Sequence, residues 1–225
     1  IATFIMVFLG TGSIVINQEF NVIITHPGIA VTFGVSVTLM IYLFGKISGA
    51  HMNPAVTIAL AVNREFPLKF FPHYLLGQSA GAILASLSLS FIFPRNKLLG
   101  GTYPSGSALE SFALEFFLSM LLMMAILSLT KATGIIKSFT GLIIGMVIWL
   151  EALFAGPVCG ASMNPVRSLG PALVSKEYTS LWIYLIAPVG GTLFAAIIFV
   201  KIHLKSDRKS TRLNSSHRCI SYAVF

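Results

Sequence analysis

The sequence predicts an all-α membrane protein, with six transmembrane helices and two re-entrant half-helices arranged as an inverted repeat. Three observations predict it. First, the 225 residues are 56% hydrophobic and only 10% charged, with a mean hydropathy of +0.87, whereas soluble domains carry about 25% charged residues. Second, the apolar residues fall into runs near the ~20 residues needed to cross ~30 Å of hydrocarbon. Third, the hexapeptide Gly49-Ala50-His51-Met52-Asn53-Pro54 returns 111 residues later as Gly160-Ala161-Ser162-Met163-Asn164-Pro165. The same arithmetic removes other classes. A chain this hydrophobic is not disordered, and two cysteines make no disulfide scaffold. A charge of +8 suggests nucleic acid in a soluble protein, but here the cations lie between apolar runs. The expected partner is a lipid bilayer, with no nucleic acid.

Taken in order, the first span covers 1–18 and carries no charge. It opens inside an apolar run without an initiator Met, so it reads as truncated; no basic segment precedes it, as one would in a signal peptide. The second span, 28–45, is also uncharged. A short helix then starts at Asn53-Pro54, because Asn is a good N-cap and Pro suits the first helical position; it runs to about Val62. Span three, 72–93, holds only His73 as a group titrating near neutral pH, span four, 111–130, holds Glu115, and span five, 138–157, holds Glu151. A second short helix starts at Asn164-Pro165 and runs to about Val174, and an uncharged span at 180–200 follows. The channel-sized unit is thus 1–205, with repeat one at about 1–93 and repeat two at about 108–205. The remainder, 206–225, is read as non-native or as a disordered basic tail, since KSTRLNSSHRCISYAVF resembles a translated vector or adapter read-through. Setting it aside removes four cations and one acid, which lowers the charge from +8 to +5.

The cations also orient the chain. With both termini cytoplasmic, the inner segments hold Lys46, Arg64, Lys69, Lys131, Lys137, Lys201 and Lys205, and the outer ones Arg95, Lys97 and Lys176. That follows the positive-inside bias.

The offset of 111 does more than match one hexapeptide. It lays Gly34 on Gly145 and Gly45 on Gly156, and brings the Gly77–Gly81 stretch over the region of Gly190 and Gly191. Whole helices therefore correspond. Three spans per repeat is an odd number, so the second half is inverted, and interrupted segments in matching places point to a pore or binding site at the midplane. Gly77-x-x-x-Gly81 and Gly141-x-x-x-Gly145 are read as close-packing helix faces.

Two half-helices of about ten residues, at 1.5 Å each, are roughly 15 Å long apiece, so end to end they span the membrane. Non-helical backbone at that depth is tolerated only against protein or water. The approaches Gly49-Ala50-His51 and Gly160-Ala161-Ser162 are therefore expected to line a pore with their carbonyls. Two facing helix N-termini put partial positive charge at the centre, which repels cations and protons and admits neutral molecules with lone pairs. The amides of Asn53 and Asn164 supply donors. Arg167, two residues after the second Asn-Pro pair, is read as a constriction residue facing water, or else as a snorkelling or salt-bridged structural Arg.

These residues carry a resemblance to the aquaporin, or major intrinsic protein, family over nearly all of 1–205. The family's duplicated Asn-Pro-Ala motif is matched by Asn53-Pro54-Ala55 and by Asn164-Pro165-Val166, where Val stands for Ala. The surroundings Ser48-Gly49-Ala50-His51 and Val166-Arg167-Ser168-Leu169-Gly170-Pro171 are also family-like. The resemblance implies a passive channel for water and small neutral solutes in the plasma membrane, a homotetramer with one pore per chain, and neither a cofactor nor a metal. It implies an aromatic/arginine selectivity filter at Phe33, Ala152, Ala161 and Arg167. Water-specific members usually carry His where Ala152 stands, so the filter reads as widened, open to glycerol, urea, ammonia or an uncharged metalloid acid. Glycerol facilitators typically have Asp after the constriction Arg; here it is Ser168, as in water-type members. A one-residue shift of the fifth span would put Glu151 or Leu153 at the filter instead.

The resemblance further implies that Glu115 accepts hydrogen bonds from the loop entering the second half-helix, a proton path being the alternative role for a buried acid. Its counterpart in the first span would lie before Ile1. Gln78 is expected to support the first re-entrant loop, and His51 to lie at the inner mouth, packed and hydrogen-bonded rather than pH-sensing. Cys159 is expected near the outer mouth as a mercurial site, with a buried apolar thiol as the alternative. The orientation of Glu151 is left open. A secondary transporter can also use inverted repeats and broken helices, but no paired carboxylates stand at the midplane to bind a coupling ion. An enzyme is disfavoured because no nucleophile–base pair, phosphate loop or metal-ligand cluster is present.

Overall fold

Asn-Pro starts each of two short helices, and a glycine ends the long helix before each of them. The computed structural model describes residues 1–221, with side chains through Ile202. The tail read at 206–225 therefore lies outside the residues with described side chains. The elements are α1 (Ala2–Glu19), α2 (Thr25–Ser48), α3 (Pro54–Val62), a 3-10 turn (Leu68–Phe70), α4 (Phe71–Ile92), α5 (Ala108–Thr130), α6 (Gly134–Ser138), α7 (Thr140–Cys159), α8 (Pro165–Ser175) and α9 (Leu181–Ser221). No strand occurs among the described residues. Five helices are long and apolar enough to cross a membrane. α1, the first span expected from the sequence, is not among these five; it ends in the polar run Asn17-Gln18-Glu19 and packs against α2 and α4.

The two half-helices, α3 and α8, are nine and eleven residues long. Each is capped identically: the Oδ1 of Asn53 accepts from the Ala55 amide, that of Asn164 from the Val166 amide, and Pro fills the first helical position. α5 starts with a capping box, in which the Ser107 hydroxyl accepts from the Glu110 amide and the Glu110 carboxylate from the Ser107 amide. The fifth span differs from the expectation at its start. Phe139 breaks it from the short α6, so α7 begins at Thr140 and runs to Cys159.

The duplication is visible in the packing. α1 lies on α4 and α5 on α9, while α2 and α7 meet across the repeat boundary. At that crossing the symmetry-related Gly34 and Gly145 face each other. A Cβ on Gly34 would lie 2.7 Å from the Gly145 carbonyl oxygen, and one on Gly145 would lie 2.5 Å from that of Gly34. Only glycine allows backbones this close. The other glycine pair is corrected: Gly81 packs on Thr3 and Phe4 of α1, but Gly77 has nothing within 4 Å. The main core cluster draws on both repeats, including Met6, Val37 and Ala85 of the first and Leu122, Ile144 and Val166 of the second.

Candidate functional site

After α2 and after α7 the chain stops being helical in the same way. Gly49 and Gly160 take the left-handed conformation at the helix ends (φ 68° and 82°). The following segments place Ala50, Met52, Ala161 and Met163 at positive φ (46°, 51°, 41° and 52°). Non-glycine residues there cost of order 1–3 kcal/mol each and persist only where their surroundings hold them.

The holders differ between repeats. In the second, the fully buried Glu115 of α5 accepts from the amides of Ser162 (2.6 Å) and Met163 (2.8 Å). In the first, Thr57 is the hub. Its hydroxyl donates to the Asn53 carbonyl (2.8 Å) and so must accept from Gln78 Nε2 (3.0 Å) and from His51 Nδ1 (3.2 Å). Gln78 thus supports the loop through Thr57 rather than by direct contact. The His51 ring packs against Phe66 and Tyr74, with centroids 5.0 and 5.2 Å away.

The loops also hold each other. Asn53 Nδ2 donates to the Met163 carbonyl (2.7 Å) and Asn164 Nδ2 to the Met52 carbonyl (2.8 Å), a reciprocal exchange across the pseudo-twofold. Each amide nitrogen carries two N–H groups. The second of each has no protein acceptor among the described residues, and both Asn residues border a cavity of about 730 Å³.

That cavity runs between the repeats. Phe33, Ala152, Ala161 and Arg167 line it, together with Asn53 and Asn164 at the half-helix starts and with Lys46, Glu65 and Lys137. Glu65 pairs with Lys131, joining the segment after α3 to the end of α5. The Arg167 guanidinium sits 5.0 Å from the Phe33 ring centre and donates through Nη1 to the Gly100 carbonyl (2.9 Å); its buried Nε has no partner among the described residues. The side chain is buried rather than snorkelling, and it has no salt-bridge partner among the described residues. Ala152 lines the cavity, and Glu151 and Leu153 do not.

Gly49, Ala50, His51 and Ser162 line the cavity, whereas the expectations at Gly160 and Cys159 are corrected. Gly160 does not line it; it is packed on Thr102, whose Cβ would lie 3.1 Å from an added Cβ. Pro54, Ala55, Pro165 and Val166 are also absent from the lining, because the first helical turn points them into buried packing. Cys159 is fully buried at the end of α7, with its thiol toward the Ala155 carbonyl (3.5 Å) and away from the cavity. Glu151 is buried too, and neither carboxyl oxygen has a hydrogen-bond partner among the described residues.

Four contributors were not singled out in the sequence: Gly100, which receives Arg167; Thr102; Thr57; and Tyr184, whose hydroxyl donates to the Cys159 carbonyl (2.8 Å). Gly100 and Thr102 lie on an irregular loop with no motif to mark them. Thr57 was accessible, since the offset of 111 pairs it with Ser168.

Comparison with known proteins agrees with this geometry. The family model described as major intrinsic protein matches residues 1–199. Nodulin-26 of Glycine max is 43% identical over 200 residues, covering 88% of this chain and 74% of that protein. Aquaporin NIP1-1 of Oryza sativa subsp. japonica is 44% identical over 227 residues, covering 95% and 80%. Among solved structures, the aquaglyceroporin from Plasmodium falciparum shares the fold, with a TM-score of 0.80 at 24% identity over 88% of this chain and 91% of that one.

Proposed function

The chain belongs to the major intrinsic protein family and is a membrane channel for water and small neutral solutes, and we propose that its selectivity is set at Phe33, Ala152, Ala161 and Arg167. The observation that supports this reading is that all four line one cavity, with the Arg167 guanidinium 5.0 Å from the Phe33 ring centre. Two are alanines. Where a ring in place of Ala152 would narrow the passage, a methyl group leaves it wide enough for glycerol, urea, ammonia or an uncharged metalloid acid. Arg167 donates to the solute's oxygen and repels cations, and the Gly100 carbonyl and Phe33 ring steady it.

At the middle, Asn53 and Asn164 offer their remaining N–H groups to the passing oxygen, and the half-helix N-termini disfavour cations there. The carbonyls of Gly49, Ala50, His51 and Ser162 complete a polar track on an otherwise apolar wall. The work is permeation rather than catalysis. The same proposal has both termini in the cytoplasm, a plasma-membrane location and a homotetramer. Because both repeats of one chain line the cavity, each chain carries its own pore.

Stopped-flow light scattering of proteoliposomes compares water, glycerol and urea permeability directly. Passage of water together with at least one of the two larger solutes is expected, and replacing Ala152 by His should narrow passage towards water alone. Strict water selectivity of the unaltered chain would overturn the widened filter.

A further inference from the structure

The hydroxyl hub of the first repeat has a counterpart in the second, built with different partners. The offset of 111 pairs Thr57 with Ser168 and His51 with Ser162. Ser168 Oγ lies 2.6 Å from Ser162 Oγ, as Thr57 lies within reach of His51. The third member changes. In repeat one it is Gln78 on α4, whereas in repeat two it is Thr102, whose hydroxyl is 2.7 Å from Ser168 Oγ and belongs to the irregular loop between α4 and α5.

Counting protons fixes the direction of this chain. Ser162 donates its single hydroxyl proton to the Asn164 carbonyl (2.9 Å), so Ser168 must donate to Ser162, and Thr102 to Ser168. All three hydroxyls are buried. The loop that supplies Thr102 also supplies Gly100, whose carbonyl receives Arg167. A ring therefore closes: Arg167 to Gly100 by hydrogen bond, along the backbone to Thr102, by hydrogen bond to Ser168, and along the backbone to Arg167. Gly100 is itself pressed on Thr11 of α1, where a Cβ would lie 2.6 Å from the carbonyl oxygen. Farther along, Ser105 donates through its amide to Val158 and through its hydroxyl to Pro157.

We propose that Thr102, Ser168 and Ser162 form a hydroxyl clasp that fixes where the Arg167 guanidinium sits, making Thr102 and Ser168 positioning residues for solute selection. The clasp rests on the reading of Arg167 as a constriction residue. Without the Thr102–Ser168 bond, the loop keeps its anchors on either side but loses the one nearest Gly100. The carbonyl that holds Arg167 is then free to shift, and the passage beside it widens.

The test is the urea-to-water permeability ratio of the full chain in proteoliposomes, for wild type, Thr102→Val, Thr102→Ser, Ser168→Ala, the Thr102→Val/Ser168→Ala pair and Arg167→Ala. Thr102→Val keeps the shape and removes the hydroxyl. It should raise the ratio by about fivefold, the size of one lost hydrogen bond, and Ser168→Ala should do at least as much. The double variant should not exceed the larger single effect, since both remove one interaction. Thr102→Ser should keep the wild-type ratio. If Arg167→Ala changes the ratio while Thr102→Val and Ser168→Ala do not, the clasp is overturned and the constriction stands. If Arg167→Ala has no effect, both are overturned. Should Ser168→Ala fail to yield protein, the Thr102 variants decide: a Thr102→Ser ratio raised as far as that of Thr102→Val would assign the effect to packing at this position rather than to the hydroxyl and sink the proposal.

Discussion

Asn53 and Asn164 each divide one side chain among three tasks. The Oδ1 caps its own half-helix, one N–H crosses to the opposite loop, and the other N–H, which has no acceptor among the described residues, is the one proposed to meet solute. Asp at either position keeps the cap but removes both donors, so water permeability should fall together with stability. Glu115 is matched as closely to its surroundings. A Gln there has only one acceptor oxygen for two amides, and Glu115→Gln should lower stability by about 1–3 kcal/mol, the cost of a buried donor left unpaired. Thermal unfolding in detergent would register it. Glu151 predicts the opposite sign. It is buried with no partner for either oxygen among the described residues, so Glu151→Leu should stabilise the fold by about 1–3 kcal/mol in the same assay. Cys159 is enclosed, and mercurials at concentrations that label accessible thiols should leave water permeability unchanged.

At the scale of elements, the Asn-Pro pairs made both half-helices legible, because cap and proline act locally and need no tertiary context. The spans were legible for a similar reason: hydrocarbon thickness fixes their length. What stayed hidden was which glycines touch a neighbour. Gly77 and Gly81 have the same spacing as Gly141 and Gly145, yet Gly77 faces open space. Spacing gives a helix face, and contact depends on the helix that covers it. The variants separate the two cases. Gly34→Ala or Gly145→Ala forces the α2–α7 crossing apart and should cost about 1–3 kcal/mol. Gly77→Ala should be neutral or stabilising by up to about 1 kcal/mol, through helix propensity alone. The loop between α4 and α5 was the least legible element, since its part in holding Arg167 comes from a carbonyl and one hydroxyl brought close only by folding.

For the whole molecule, inversion makes the duplication functional. Two copies of one half, turned over, bring two helix starts to one point and leave their loops bonded to each other across the pseudo-twofold. The reciprocal Asn bonds and the α2–α7 glycine contact tie the halves together where an alternating-access carrier would have to separate them. The two halves thus frame a standing pore, which osmotic swelling of proteoliposomes containing the full chain would reveal. Water flow should be fast, rise in proportion to the osmotic gradient, depend weakly on temperature and need no ion gradient. Saturable flow that requires an ion gradient would contradict the standing pore.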